Sequence, residues 1–535
     1  MTSENKNKSV VYFPIIIFLT LAIGFLLGRL VYKGNNSVFV SDYSHTDKIS
    51  LLLDLIEENY VDTISTEKLM EIALPKILEE LDPHSIYIPA VDYAQTQEPL
   101  DGNFEGIGVQ FNVQNDTILI VSVISGGPSE KEGLLAGDRI ITINDSVFAG
   151  KKITSEDVVK NLKGKKGTEV KLGIKRSGLD ELLDYTITRD VIPLYSVNAS
   201  YMYDNEIGYI KIDRFAQTTY TEFMDAIAKL KKQGLKKLIL DLRGNSGGYL
   251  IEATDIADQF LTKDKMIVFT QGKARPKNEY FATDKDECVD IELVVLTDTW
   301  SASASEILSG AIQDNDRGTI IGRRTYGKGL VQEPITFDDG SSIRLTVARY
   351  YTPTGRCIQK PYGENSEAYD NEIYTRIENG ELEHIDSTLF ADSLKFTTPK
   401  GKTVYGGGGI MPDIFVAVDT TGYSDYFEKL SIKGLIYKYA LEYADNNRTK
   451  LSKFTTSEQI INYLNSINFV IIFKTYAENN GVKDINSEFD ISKEIIKIQL
   501  YAYVVRNILD EDNFYKVYHQ IDNVFLKAVE ELQKD

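Results

Sequence analysis

Three stretches carry residues whose types and spacing can do chemistry. In Ser301-Ala302-Ser303-Ala304-Ser305-Glu306-Ile307-Leu308, three hydroxyls precede an apolar helical repeat of Ile307, Leu308, Ala311 and Ile312. A hydroxyl at a helix start faces free N–H groups and the positive end of the helix dipole, which favour a developing negative charge. Serine is also a preferred helix cap, so these residues alone fit an ordinary helix start. A serine nucleophile needs a base at neutral pH. The four histidines are scattered, and His84, in Leu81-Asp82-Pro83-His84-Ser85, reads as closing a loop. Lys328, between glycines in Thr325-Tyr326-Gly327-Lys328-Gly329, can serve if burial strips its charge. The third stretch, Asp241-Leu242-Arg243-Gly244-Asn245-Ser246-Gly247-Gly248, offers bare amides. It lacks the Gly-Lys-Ser/Thr of a phosphate cradle and reads as an oxyanion hole.

Those residues need strands and helices to hold them. Apolar strands are expected at 207–212, 237–242, 293–296 and 343–351, with helices at 220–233, 251–260 and from about 304. Alternating strand–helix units of this kind imply an α/β fold with buried parallel strands. Before them, 47–81 shows amphipathic helical spacing. Residues 102–190 alternate in the manner of short β-strands at 108–111, 118–123, 139–143 and 170–175, with one helix at 155–162. After them come a charge-rich insertion at 360–400, a Gly406–Gly409 run that returns the chain to the core, and helical spacing from Tyr426 onward.

Length and charge bound the rest. At 535 residues the chain holds several domains, and a net charge of −20 speaks against a nucleic-acid partner. Cys288 and Cys357 form no metal or redox motif. Residues 10–32 are apolar except for Thr20 and Arg29, long enough for a membrane-spanning signal anchor behind a short cytoplasmic 1–9. A polar linker follows at 34–46.

Two resemblances sharpen this. Gly127-Pro128-Ser129 with Gly133-Leu134-Leu135-Ala136-Gly137-Asp138-Arg139-Ile140 resembles the signature of PDZ domains, and Phe104-Glu105-Gly106-Ile107-Gly108-Val109 looks like their carboxylate-binding loop. In such a loop successive amides converge on a peptide's terminal carboxylate beside an open strand edge. The order of PDZ-like module, Leu-Arg-Gly-Asn-Ser-Gly-Gly, Ser-Ala-Ser-Ala-Ser-Glu-Ile and Gly-Lys-Gly-x-x-Gln resembles the C-terminal processing peptidases, also called tail-specific proteases, over about residues 47–420. Leu81-Asp82-Pro83-His84-Ser85 and Arg349-Tyr350-Tyr351-Thr352-Pro353-Thr354-Gly355-Arg356 match the same family.

The resemblance implies that Ser303 is the nucleophile, a choice over Ser301 and Ser305 that the residues themselves leave open. It implies Lys328 as general base, Gln332 as the residue orienting it, and the amides of Ala304 and of Gly247 or Gly248 as oxyanion hole. Gly106, Ile107 and Gly108 would bind the peptide terminus, and Asp314 matches a polar position near the site. The implied fold is a crotonase-like ββα peptidase core at 200–420, a PDZ-like domain at 102–190, an N-terminal helical region at 43–100 and a C-terminal helical domain at 424–535. The implied activity is that of an envelope-facing, membrane-anchored serine endopeptidase acting on proteins with apolar C-termini, as a homo-oligomer or with an adaptor, with no metal or cofactor. The rival reading is an inert PDZ scaffold that binds tails.

Overall fold

The computed structural model describes residues 47–124, 126–176, 178–363, 368–369, 371–384 and 392–534, together with Phe18, Thr20, Ile23 and Gly24. The expected anchor at 10–32 lies, apart from those four residues, outside this set. Among the described residues no helix is long and apolar enough to cross a membrane.

The chain divides into two compact units, Met1–Leu74 and Pro75–Asp535. The first holds a helix at Asp47–Asn59 and the start of another running Thr66–Glu79. Everything below concerns the second.

Its β-rich part is built from β1 (Val109–Gln114), β2 (Thr117–Val123), β3 (Arg139–Ile143), helix α1 (Ser155–Leu162), β4 (Glu169–Lys175) and β5 (Leu183–Thr188). The strands pair in the order β1-β2-β3-β4-β5, which leaves β1 at an edge. Thr154 caps α1 through a reciprocal bond with Asp157, and Val158 and Leu162 on its inner face join the core of this sheet. β5 was not expected from the sequence, although its residues alternate, with Asp184 and Thr186 facing solvent and Ile187 buried.

The sheet of the expected peptidase core, the central sheet, is six-stranded: β6 (Val197–Met202), β7 (Ile207–Ile212), β8 (Lys237–Asp241), β9 (Glu292–Thr297), β10 (Thr319–Gly322) and, after a long excursion, β11 (Ile414–Phe415). β6 runs antiparallel and the rest are parallel. Helices α2 (Thr219–Lys231), α3 (Leu250–Phe260) and α4 (Ala304–Asp314) cover one face, where Phe223, Phe260 and Leu308 are buried. A parallel sheet must be covered on both faces, and the other cover comes from an unexpected place. The last helix, α5 (Asn523–Leu532), lays Val524, Phe525, Ala528 and Leu532 against Tyr209, Ile239, Val294 and Ile321. The expected C-terminal domain at 424–535 therefore splits. Residues from Tyr426 to Val517 share a separate helical core, whereas α5 belongs to the central sheet.

The helical core also reaches the β-rich part. Gln114 Nε2 donates to Glu442 Oε1 at 3.0 Å. Gly137 lies so close to Asp445 that a Cβ there would sit 1.9 Å from its carboxylate. A second sheet contains Leu330–Thr336 and Ser342–Tyr351. The insertion expected at 360–400 is anchored rather than merely solvated: Arg376 and Glu381 are buried, and Glu381 takes both arms of Arg324 at 2.6 Å.

Candidate active site

Adjacent parallel strands bring two of the three chemical stretches together. β8 and β9 pair with Asp241 opposite Leu296, so the turns leaving their carboxyl ends are neighbours. Ala302 N donates to Asn245 O at 3.0 Å. Asp298 accepts the amides of Gly244, Trp300 and Ser301, tying both turns to one carboxylate.

Within the serine cluster the three hydroxyls have different fates. Ser301 Oγ donates to Leu242 O and Ser305 Oγ to Asn245 O, each at 2.9 Å, and both side chains are fully buried. Ser303 stands partly exposed at the first turn of α4, with φ 54° and ψ −113°. A non-glycine residue with positive φ is strained and persists only when its surroundings hold it. The hold comes from Glu306, whose Oε2 accepts Ser303 N at 2.9 Å.

The same Oε2 accepts Lys328 N at 2.8 Å. Glu306 Oε1 takes Gly327 N at 2.8 Å and Thr325 Oγ1 at 2.5 Å. Burial pushes the Glu306 carboxyl up from its usual value, and these four donors oppose that push. The third stretch, with Lys328, is thereby joined to the serine turn. The Tyr350 hydroxyl adds a second link, 2.7 Å from Lys328 O and 3.1 Å from Ser303 O.

The Lys328 amine points to Gln332, donating to Oε1 at 3.0 Å. Gln332 sits where the strand Leu330–Thr336 slips register against its partner, a bulge of the kind that re-aims a side chain. Its amide nitrogen donates in turn to His84 O. Burial, with Arg344 nearby, lowers the Lys328 pKa from 10.5 to about 8, against the pull of Asp82 and Glu306. His84 is held by its own loop: Asp82 accepts the amides of His84 and Ser85, and the ring meets Tyr369 Oη at 2.9 Å. Burial lowers its pKa to about 4. The imidazole is neutral, and its contribution near the site is its carbonyl.

Two expectations, one for the glycine turn and one for the end of α4, need correction. The Gly247 amide is not free, because it donates to Asn245 Oδ1 at 2.8 Å. Gly247 matters for its missing side chain: a Cβ there would lie 2.8 Å from Ser303 Cβ and 3.0 Å from Ala304 N. The amides of Ala304 and Gly248 have no acceptor among the described residues. Asp314 is not near the site, since it ends α4 about 16 Å along the helix axis from Ser303. It pairs there with fully buried Arg356 at 2.6 Å.

In the β-rich part, Gly106-Ile107-Gly108 leads into the open edge of β1, with Gly108 at φ 77°. The carbonyls of Ile107 and Gly108 accept Ser129 N and Ile124 N, while their own amides have no acceptor among the described residues.

These features agree with what the chain is similar to. The sequence profile of peptidase family S41 matches residues 206–364, and that of the PDZ domain residues 106–187. The chain is 36% identical over 359 residues to carboxy-terminal processing protease CtpA of Bacillus subtilis, covering 66% of this chain and 76% of that protein. It is 38% identical over 317 residues to CtpB of the same organism, covering 59% and 65%. It is 34% identical over 357 residues to a carboxy-terminal-processing protease of Bartonella bacilliformis, covering 66% and 80%. The chain belongs to the carboxy-terminal processing proteases of family S41. It is accordingly a serine-type peptidase with a PDZ domain. Residues 426–510 of this peptidase match a family of unknown function.

Sequence reasoning had named Ser303, Lys328 and Gln332 but missed what holds them. Glu306 stands in view within the serine stretch, with no sign of the amides it accepts. Tyr350 stood in view within Arg349-Tyr350-Tyr351, with no sign of which backbone it would reach.

Proposed function

We propose that this peptidase cleaves proteins bearing apolar C-terminal tails, using Ser303 as nucleophile and Lys328 as base. The observation that carries the reading is the amine of Lys328. It is half-buried, held by Gln332, and lowered to a pKa of about 8, on a backbone bridged to that of Ser303 by one Glu306 oxygen. A neutral amine accepts the Ser303 hydroxyl proton as the oxygen attacks the scissile carbonyl. The amides of Ala304 and Gly248 stabilise the resulting oxyanion, and the protonated amine then protonates the leaving nitrogen. Water, activated by the same amine, releases the acyl group. Ser301 and Ser305 are excluded from the role by the carbonyls they already serve.

The PDZ domain, within 102–190, takes the tail. The open amides of Ile107 and Gly108 meet the terminal carboxylate, and the last residues add as a strand to the edge of β1. The apolar 10–32 stretch anchors the chain in the inner membrane as a single pass, with the peptidase on the periplasmic, envelope side.

The test uses the full-length protein and Ser303→Ala with an unfolded substrate ending in an apolar tail, free or amidated. Cleavage by wild type alone, weakened by amidation, is the expected result. Equal cleavage by Ser303→Ala overturns the nucleophile, and indifference to amidation overturns tail capture.

A further inference from the structure

Where the carboxyl-end loops of the peptidase sheet meet the C-terminal helices lies a cavity of about 730 Å³, a size that suits a small organic ligand. One side is apolar, with Ile491, Ile495, Ile521 and Leu526 beside the rings of Tyr423 and Tyr518. The charged groups on its wall are nearly all committed elsewhere. Asp522 accepts both arms of Arg243 at 2.9 and 2.8 Å, and the amides of Val524 and Phe525 as well. Arg243 is further held by Asp241 at 2.6 Å. Glu494 pairs with Lys497 at 2.9 Å, and Asp419 accepts the Thr421 amide at 2.8 Å.

Arg323 is the exception. Its guanidinium makes one hydrogen bond among the described residues, Nη1 to Val416 O at 3.2 Å, and no carboxylate there lies within ion-pair distance. Burial lowers its pKa, with Arg243 adding to the push and Asp298 and Asp522 pulling against it. A guanidinium has five N–H donors in a planar fork that fits a carboxylate. An unspent fork on the wall of a half-apolar cavity is a poor arrangement for an empty protein and a good one for an anionic amphiphile.

We propose that this cavity binds a carboxylate carrying an apolar chain, with the carboxylate on Arg323 and the chain along Ile491, Ile495 and Leu526. Two sources share that chemistry: the C-terminus of a short apolar peptide and a fatty acid. The proposal does not depend on the roles assigned to Ser303 and Lys328, and its test reads binding rather than cleavage.

Calorimetric titration of the full-length protein with hexanoate and with the tripeptide Leu-Ala-Ala tests it, with methyl hexanoate and the tripeptide amide as neutral controls. Arg323→Gln removes the charge, and Ile495→Trp fills the cavity while leaving Arg323 in place. The expected result is that at least one of the acids binds wild type at a site weakened tenfold or more by either substitution, and that the neutral analogues do not bind there. Whichever acid behaves so identifies the source, and tripeptide binding at the PDZ loop persists in both variants as a separate event. Binding of both acids unchanged by either substitution overturns the proposal. So does the lack of any Arg323-dependent heat with either acid.

Discussion

Ser303 and Lys328 are joined twice through their backbones: Glu306 Oε2 accepts the amide of each, and the Tyr350 hydroxyl reaches the carbonyl of each. Both bridging groups are buried. The spacing between the serine turn and the lysine loop is therefore set by two rigid side chains rather than by a direct serine–lysine bond. Removing one bridge should loosen the pair without emptying the site. Tyr350→Phe is expected to lower kcat about tenfold with KM little changed, and to cost about 1 kcal/mol, since Lys328 O loses its donor while Ser303 O keeps the amides of Glu306 and Ile307. Glu306→Gln, which turns an N–H toward groups that are all donors, should cost more on both counts. Steady-state kinetics with thermal melts check this. A raised KM at constant kcat in Tyr350→Phe would show that the bridge serves binding instead.

The three serines predict a contrast. Ser305→Ala leaves the buried Asn245 carbonyl with the Ala302 amide alone and should destabilise by about 1 kcal/mol while cleavage stays within a few-fold of wild type. Ser303→Ala should melt close to wild type and be inactive. Ser303→Gly should melt above Ser303→Ala by about 1 kcal/mol, because glycine tolerates the positive φ of this position. Parallel melts and cleavage assays decide it, and an active Ser303→Ala would sink the assignment.

How the base titrates can be worked out in sign. Lys328 must be neutral to accept a proton, and its folded pKa is about 8 against an ordinary 10.5. Activity should therefore rise with pH to a plateau above about 8, and Lys328→Arg should be inactive at every pH. The same shift has a cost for the fold. Below about 8 the amine is protonated against burial, and stability rises with pH only between about 8 and 10.5, where the unfolded chain binds the extra proton. Lys328→Met should thus stabilise the protein at pH 7 by about 1–3 kcal/mol, since 2.5 pKa units bound the effect near 3 kcal/mol. A pH–rate profile flat from 6 to 9, or a destabilised Lys328→Met, would contradict the assignment.

Much of this was legible in the chain. The buried strands of the peptidase sheet announce themselves as apolar runs, and Lys237–Asp241 and Glu292–Thr297 fall within a residue of where the sequence puts them. Motif order singles out Ser303 and Lys328, whose backbone amides meet on one Glu306 oxygen. What was not legible depends on long-range placement. The Gly247 amide looked available until Asn245, two residues away, was seen to take it. Asp314 looked close to Ser303 in sequence, yet a straight helix carries it away. Helix α5 shows the amphipathic spacing of any helix, and no local signal tells that it covers the peptidase sheet instead of joining its helical neighbours.

Acid should weaken the fold through two neutral histidines. His519 is buried and His84 half-buried, and desolvation lowers each pKa to about 4. The His519 ring stacks on Phe525 with centroids 3.7 Å apart and meets Tyr201 Oη at 2.5 Å. Above pH 6.5 both are neutral whether folded or unfolded, so they cost nothing. As pH falls from 6.5 toward 4 the unfolded chain takes up protons that the folded chain refuses, and stability drops by up to about 3 kcal/mol per histidine. His519→Phe keeps the stacking but loses the Tyr201 partner. It should be about 1 kcal/mol less stable at pH 7 and show a shallower decline between pH 6.5 and 4, by about half of what the two histidines together contribute. Denaturant melts at pH 7, 5.5 and 4.5 measure both terms. An unaltered decline in His519→Phe would mean that this ring charges freely inside the fold, and that Asp522, 4.0 Å from its Nε2, compensates the charge.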